Sequence, residues 1–131
     1  MADTATNTNL RSPLGRVRGL GSAKGGTHHW WLQRVTSMAL LPLTIWFTLS
    51  CTALIGAPHA DVAAWIGRPL NATLLLLLVG IGFHHGAAGL QVVIEDYNRT
   101  ETTKLVVMLA MKGAALLLAV LGAVSVLKLA V

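Results

Sequence analysis

The residues of this chain best able to do chemistry are two histidines in an uncharged, apolar run and, further along, an acid next to a phenol. The run reads Phe83-His84-His85-Gly86-Ala87-Ala88-Gly89-Leu90-Gln91-Val92-Val93-Ile94-Glu95-Asp96-Tyr97. A neutral imidazole can ligate a metal such as haem iron, and a phenol beside a carboxylate can donate to a polar ligand while the acid orients it or relays protons. On a helix the step from His85 to Asp96 is about 16 Å, so His85 lies deep in a bilayer when Asp96 reaches its surface. Ionisable side chains at that depth are costly and face the interior of a bundle, which makes a functional role the default. Eleven residues are close to three turns, so His85 and Asp96 share a helix face with Val92 between them. Gly82 and Gly89 flank His85 and would let a flat macrocycle or a neighbouring helix come close. Gly80, Ala87 and Ala88 surround His84 just as closely, so spacing leaves both histidines open and only the face shared with Asp96 favours His85. Plain packing roles, glycines for helix contact and a hydrogen-bonded core histidine, are the alternatives.

Three long apolar segments must carry these groups. Of the 131 residues 54% are hydrophobic and 11% charged, well below the quarter that is charged in soluble domains. Spans are expected at about residues 35–56, 69–94 and 104–127, each long enough for the ~30 Å hydrocarbon core. Helices are required, because an isolated strand in lipid leaves backbone groups unpaired. The fold class expected is therefore an all-α membrane protein with three transmembrane helices, suited to packing with other helices. Residues 1–28 read as a flexible basic cytoplasmic arm and 29–131 as the transmembrane domain. The first apolar run starts too late and runs too long for a cleavable signal, so the arm is expected to stay. Pro58, His59, Asp61 and Trp65 mark the first loop, where Trp65 suits a short interfacial turn. Gly113, Ala114, Ala115, Ala119, Gly122 and Ala123 give the third span a close-packing face.

Charge sets the orientation. Arg11, Arg16, Arg18 and Lys24 precede Arg34, and Arg99 and Lys104 lie in the second loop, against Arg68 and Lys128 elsewhere. By the positive-inside rule the N-terminus and second loop are cytoplasmic and the first loop and C-terminus lie on the far side. The basic arm suits anionic lipid or an acidic partner; nucleic acid is a poor fit, for no basic patch is interleaved with exposed aromatics. Cys51, the single cysteine, cannot form an internal disulfide. Lys112 interrupts the third span at a depth from which it can snorkel or meet a partner subunit.

The pattern of His85, ten residues, then Asp96-Tyr97, with Gly89 and Gln91 inside it, resembles the second helix of the hydrophobic, cytochrome b-type membrane-anchor subunit of succinate dehydrogenase. Gly21-Ser22-Ala23-Lys24-Gly25-Gly26-Thr27-His28-His29-Trp30-Trp31-Leu32-Gln33-Arg34-Val35-Thr36 looks like the approach to the first helix in bacterial members. The resemblance covers roughly residues 11–131. It implies a bacterial inner-membrane protein, N-terminus cytoplasmic and C-terminus periplasmic, paired with a second membrane-anchor subunit and attached to an iron-sulfur subunit and a flavoprotein subunit. It further implies a haem b shared by the two anchors with His85 as this chain's axial ligand, Tyr97 and Asp96 at a ubiquinone site, and Arg34 and His28 at the haem propionates.

Arginine holds carboxylates in a two-pronged fork, which fits the propionate role; snorkelling to lipid phosphate is the alternative for Arg34, and an interfacial aromatic belt for Tyr97. Trp30 and Trp31 read as interfacial anchors, and His59 as solvated. The chain has no nucleophile, metal-cluster or nucleotide motif, so no catalytic residue is assigned and the chain alone is expected to be inert within an oxidoreductase complex. Two other readings stay open: a haem b anchor of another quinone-linked dehydrogenase or fumarate reductase, and a cofactor-free membrane scaffold.

Overall fold

Apolar sequence runs become helices wherever lipid leaves the backbone no other partner, and this chain follows that rule through nearly all of its described length. The computed structural model describes residues 14 and 25–131. Arg11, Arg16, Arg18 and Lys24, and with them most of the expected arm, lie outside the described residues. Four helices follow in order: α1 (Gly26–Ala53), α2 (His59–Ile66), α3 (Pro69–Tyr97) and α4 (Glu101–Ala130). The three long ones are apolar enough to cross a membrane, as expected. At 28, 29 and 30 residues they are longer than the three apolar spans. A membrane needs only about 20, so each helix tilts or projects past the core. The projecting ends carry the polar groups: α1 begins at Gly26, which makes His28 to Arg34 helical, and α3 runs on through Glu95, Asp96 and Tyr97.

Local sequence explains the breaks. After α1 the chain turns through Gly56, whose φ of 77° is a left-handed conformation that L side chains rarely adopt. Pro58 then precedes α2, and Pro69 stands at the start of α3, where its missing N–H costs no helical bond. Pro42 lies inside α1 without ending it. Hydroxyls within the spans satisfy themselves: Thr44, Thr48, Thr52, Thr73 and Ser125 each donate to a carbonyl three or four residues earlier on their own helix.

The region between α1 and α3 holds a helix where an interfacial turn was expected. Eight residues form α2, and Trp65 packs inward, stacked on Trp46 of α1 with centroids 5.6 Å apart and planes at 20°. The buried Asn71 donates through Nδ2 to the Trp65 carbonyl at 2.7 Å, which ties α2 to the start of α3. His59 is exposed, in keeping with the solvated reading.

The long helices stand in a row with α3 in the middle. Helix α3 packs against α1 on one side and along α4 on the other, while the backbones of α1 and α4 stay apart. Gly122 gives the tightest point of the second contact, for a Cβ there would come within 3.2 Å of Val79 Cγ1. Gly113, from the same expected packing face, faces open space. Only Leu43, Asn71, Ala72, Leu75 and Ile94 are buried among the described residues, and most leucines and valines of the spans are exposed. A row of three helices cannot enclose its own apolar surface, so lipid or other helices must cover it.

Candidate functional site

The site grows from the contact of α1 with α3. These helices run antiparallel, and three pairs fix their register: a Cβ at Gly82 would meet Leu40 at 4.0 Å, one at Gly89 would meet Gln33 Nε2 at 3.5 Å, and between them Thr36 reaches His85. The two glycines flanking His85 thus face α1, where an added Cβ would meet it only at ordinary contact distance. Thr36 Oγ1 lies 2.9 Å from His85 Nδ1, and it also lies 2.7 Å from the Leu32 carbonyl and 3.1 Å from that of Gln33. His85 is half-buried, and its Nε2 has no hydrogen bond among the described residues. Gln33 Oε1 is buried with no partner among the described residues, a polar atom left open beside this contact.

The second histidine has different company. One position back is about 100° round the helix, so His84 turns away from Thr36. It is exposed and lines a recess of about 290 Å³ with His29 and Leu32 of α1, Ala87, Ala88 and Gln91 of α3 and Lys112 of α4. Lys112 therefore sits beside an imidazole and an amide, where the sequence alone left it snorkelling or meeting a partner. A larger groove of about 610 Å³ runs between α3 and α4, walled by carbon from residues such as Gly82, Phe83, Gly86, Leu90 and Met111. It offers no group for chemistry.

The remaining candidates lie toward the end of α3 and the start of α1. Tyr97 closes α3 with 83% of its surface exposed, and Asp96 beside it is exposed too. One turn earlier Gln91 Nε2 donates to Glu95 Oε1 at 2.8 Å, so the nearer carboxylate is engaged and Asp96 is not. Arg34 lays its guanidinium over the Trp30 ring, 5.5 Å from the centroid, and Trp30 in turn lies 6.3 Å from Trp31. His28 is exposed on the first turn of α1. No hydrogen bond or ion pair joins His28, Arg34, Asp96 or Tyr97 to one another among the described residues; the ion pair present there is Lys104 with Glu101 at 3.2 Å.

Haem iron needs an axial nitrogen with a free lone pair, a hydrogen-bond partner for the other ring nitrogen and room beside the ligand. His85 has its Nδ1 engaged and its Nε2 open, and no atom lies within 4 Å of a Cβ built at neighbouring Gly86. The residues present fit the group. No cluster of three metal-binding side chains exists among the described residues.

Sequence reasoning assigned Thr36 and Gln33 no role. Their one local signal is that residues 33, 36 and 40 recur at helical spacing on one side of α1, a pattern common to any packed helix.

The chain has clear relatives. The family model described as "Succinate dehydrogenase/Fumarate reductase transmembrane subunit" matches residues 8–126, and the chain belongs to that family. Within it, the similarity lies with succinate dehydrogenase anchors. The chain is 34% identical over 104 residues to the succinate dehydrogenase hydrophobic membrane anchor subunit of Rickettsia bellii, covering 79% of this chain and 82% of the relative. It is 36% identical over 93 residues to that of Paracoccus denitrificans, covering 71% and 72%. The succinate dehydrogenase membrane anchor subunit of Reclinomonas americana is 30% identical over 97 residues, covering 63% and 72%. No solved structure matches the chain significantly.

Proposed function

We propose that this membrane anchor of succinate dehydrogenase holds one side of a haem b and one wall of a quinone pocket, so that electrons from succinate oxidation pass to a membrane quinone. The carrying observation is the half-buried His85 in mid-helix, with Nδ1 engaged by Thr36 and Nε2 free. His85 is the axial ligand in this reading, and His84, beside Lys112, is not. When bound, haem b supplies a one-electron redox centre inside the membrane.

The chain's own residues bind and orient. Tyr97 is free to donate its phenolic proton to a quinone carbonyl at the cytoplasmic membrane surface, and the unengaged Asp96 can orient that contact or pass protons from solvent. Arg34 and His28, at the same end of the row, supply the cation and donor for the haem propionates, with Trp30 steadying the guanidinium. A second membrane-anchor subunit brings the other iron ligand and covers exposed α1 and α3. The iron-sulfur subunit docks near Tyr97 and links the anchor to the flavoprotein subunit. In a bacterial inner membrane, the location the family resemblance implies, the charge pattern supports an N-terminus inside and a periplasmic C-terminus.

The test is a reduced-minus-oxidised optical spectrum of the purified complex. A b-type signal that is lost in His85→Ala and kept in His84→Ala is the expected result. A colourless complex, or a signal that follows His84, overturns the assignment. Succinate-dependent quinone reduction by the same complex separates a succinate dehydrogenase from a fumarate reductase or another quinone-linked dehydrogenase.

A further inference from the structure

We infer that Thr36 is a positioning residue that sets the tautomer of His85, holding the proton on Nδ1 so that Nε2 presents its lone pair to iron. This rests on the reading of His85 as the haem ligand and adds the group that prepares it. A threonine hydroxyl has one hydrogen to give. Oγ1 of Thr36 stands 2.7 Å from the Leu32 carbonyl oxygen and 3.1 Å from that of Gln33, both pure acceptors. An oxygen pair at that separation without a hydrogen between them would set lone pair against lone pair. The hydrogen therefore points into its own helix, and toward His85 Nδ1 at 2.9 Å the hydroxyl can only accept. The proton of that bond belongs to Nδ1, and in neutral imidazole the other nitrogen is then bare.

The fold holds the pair in place from both sides. Gln33 against Gly89 and Leu40 against Gly82 pack α1 on α3 about one turn to either side of the bond. His84 has no such partner among the described residues, and its recess contains a lysine. A ring nitrogen that donates to an oxygen makes the opposite nitrogen a stronger base, and such partners typically change metal affinity by ~10–100-fold. A stronger donor favours ferric over ferrous iron. Losing the bond therefore raises the haem midpoint potential.

The experiment uses the whole purified complex. Thr36→Val keeps the branched shape and removes the acceptor, and Thr36→Ser keeps the acceptor and removes a methyl. Redox titration of the haem band is expected to show a positive shift in Thr36→Val, with haem lost more readily to a competing apo-haemoprotein, and a return to the wild-type potential in Thr36→Ser. Should Thr36→Val fail to assemble, Thr36→Ala removes the hydroxyl without added bulk and carries the same expectation. An unchanged potential and unchanged haem retention in an assembled Thr36→Val or Thr36→Ala overturns the inference, as does Thr36→Ser behaving like Thr36→Val. Failure of the underlying reading is distinct: there His85→Ala itself keeps the haem signal.

Discussion

Tyr97 differs from the other candidates in how little holds it. It ends α3 with its hydroxyl free of any hydrogen bond among the described residues, so a bound quinone would be its first partner. Tyr97→Phe is accordingly expected to leave assembly and haem content intact and to lower kcat/KM for quinone reduction by about tenfold, the equivalent of one hydrogen bond at ~1.4 kcal/mol. Steady-state assays with a short-chain quinone measure it, and an unchanged kcat/KM assigns the ring to the interfacial belt instead. His85 was legible as a candidate from its depth and from the face it shares with Asp96. Over His84 the sequence favoured it only by that shared face, since small residues flank both, and the structure adds a hydroxyl contact from 49 positions earlier in the chain. Local periodicity carries no trace of such a contact. Lys112 was likewise legible as an exception in its span, whereas the company of His84 and Gln91 depends on how three helices meet.

Helix contacts make predictions of a different kind, about stability. Asn71 is buried and spends its amide on the Trp65 carbonyl at 2.7 Å. Asn71→Leu leaves that carbonyl only the longer bond from the Arg68 N–H at 3.4 Å and is expected to destabilise the complex by about 0.5–1.5 kcal/mol, the net worth of one hydrogen bond. Gly122→Leu drives a side chain into Val79, already 3.2 Å from a bare Cβ, and overpacking of this kind costs about 1–3 kcal/mol. Thermal unfolding of both variants in detergent, followed by haem absorbance, is the measurement; a melting temperature equal to wild type in either removes the contact from the account. The three long helices could be read from the sequence because uncharged runs of that length leave no other structure open. Their ends could not, since helical bonding continues past the apolar stretch through His28 and Tyr97. Helix α2 was missed because eight residues between two punctuating prolines carry too short a pattern.

Across the whole molecule the question is which way the row faces. The positive-inside rule predicts Asp61, exposed on α2, on the non-cytoplasmic side and Arg99, between α3 and α4, on the cytoplasmic side. In a Cys51→Ser background, Asp61→Cys should react with a membrane-impermeant maleimide in intact spheroplasts, and Arg99→Cys only after permeabilisation. The reverse pattern inverts the topology and moves the quinone site to the opposite surface. The number of spans followed from composition, but the separation of the α1 and α4 backbones did not, since sequence gives each helix an apolar surface without saying which neighbour takes it.

That open row has a cost for the cell. A chain with five buried residues among those described leaves most of its apolar surface to lipid or to other helices. Synthesised in excess, it would expose helix faces that quality-control proteases in the membrane recognise, and it would be degraded. Its abundance should then be set by the supply of its companions, one molecule surviving for each complex built, whatever the strength of its own gene.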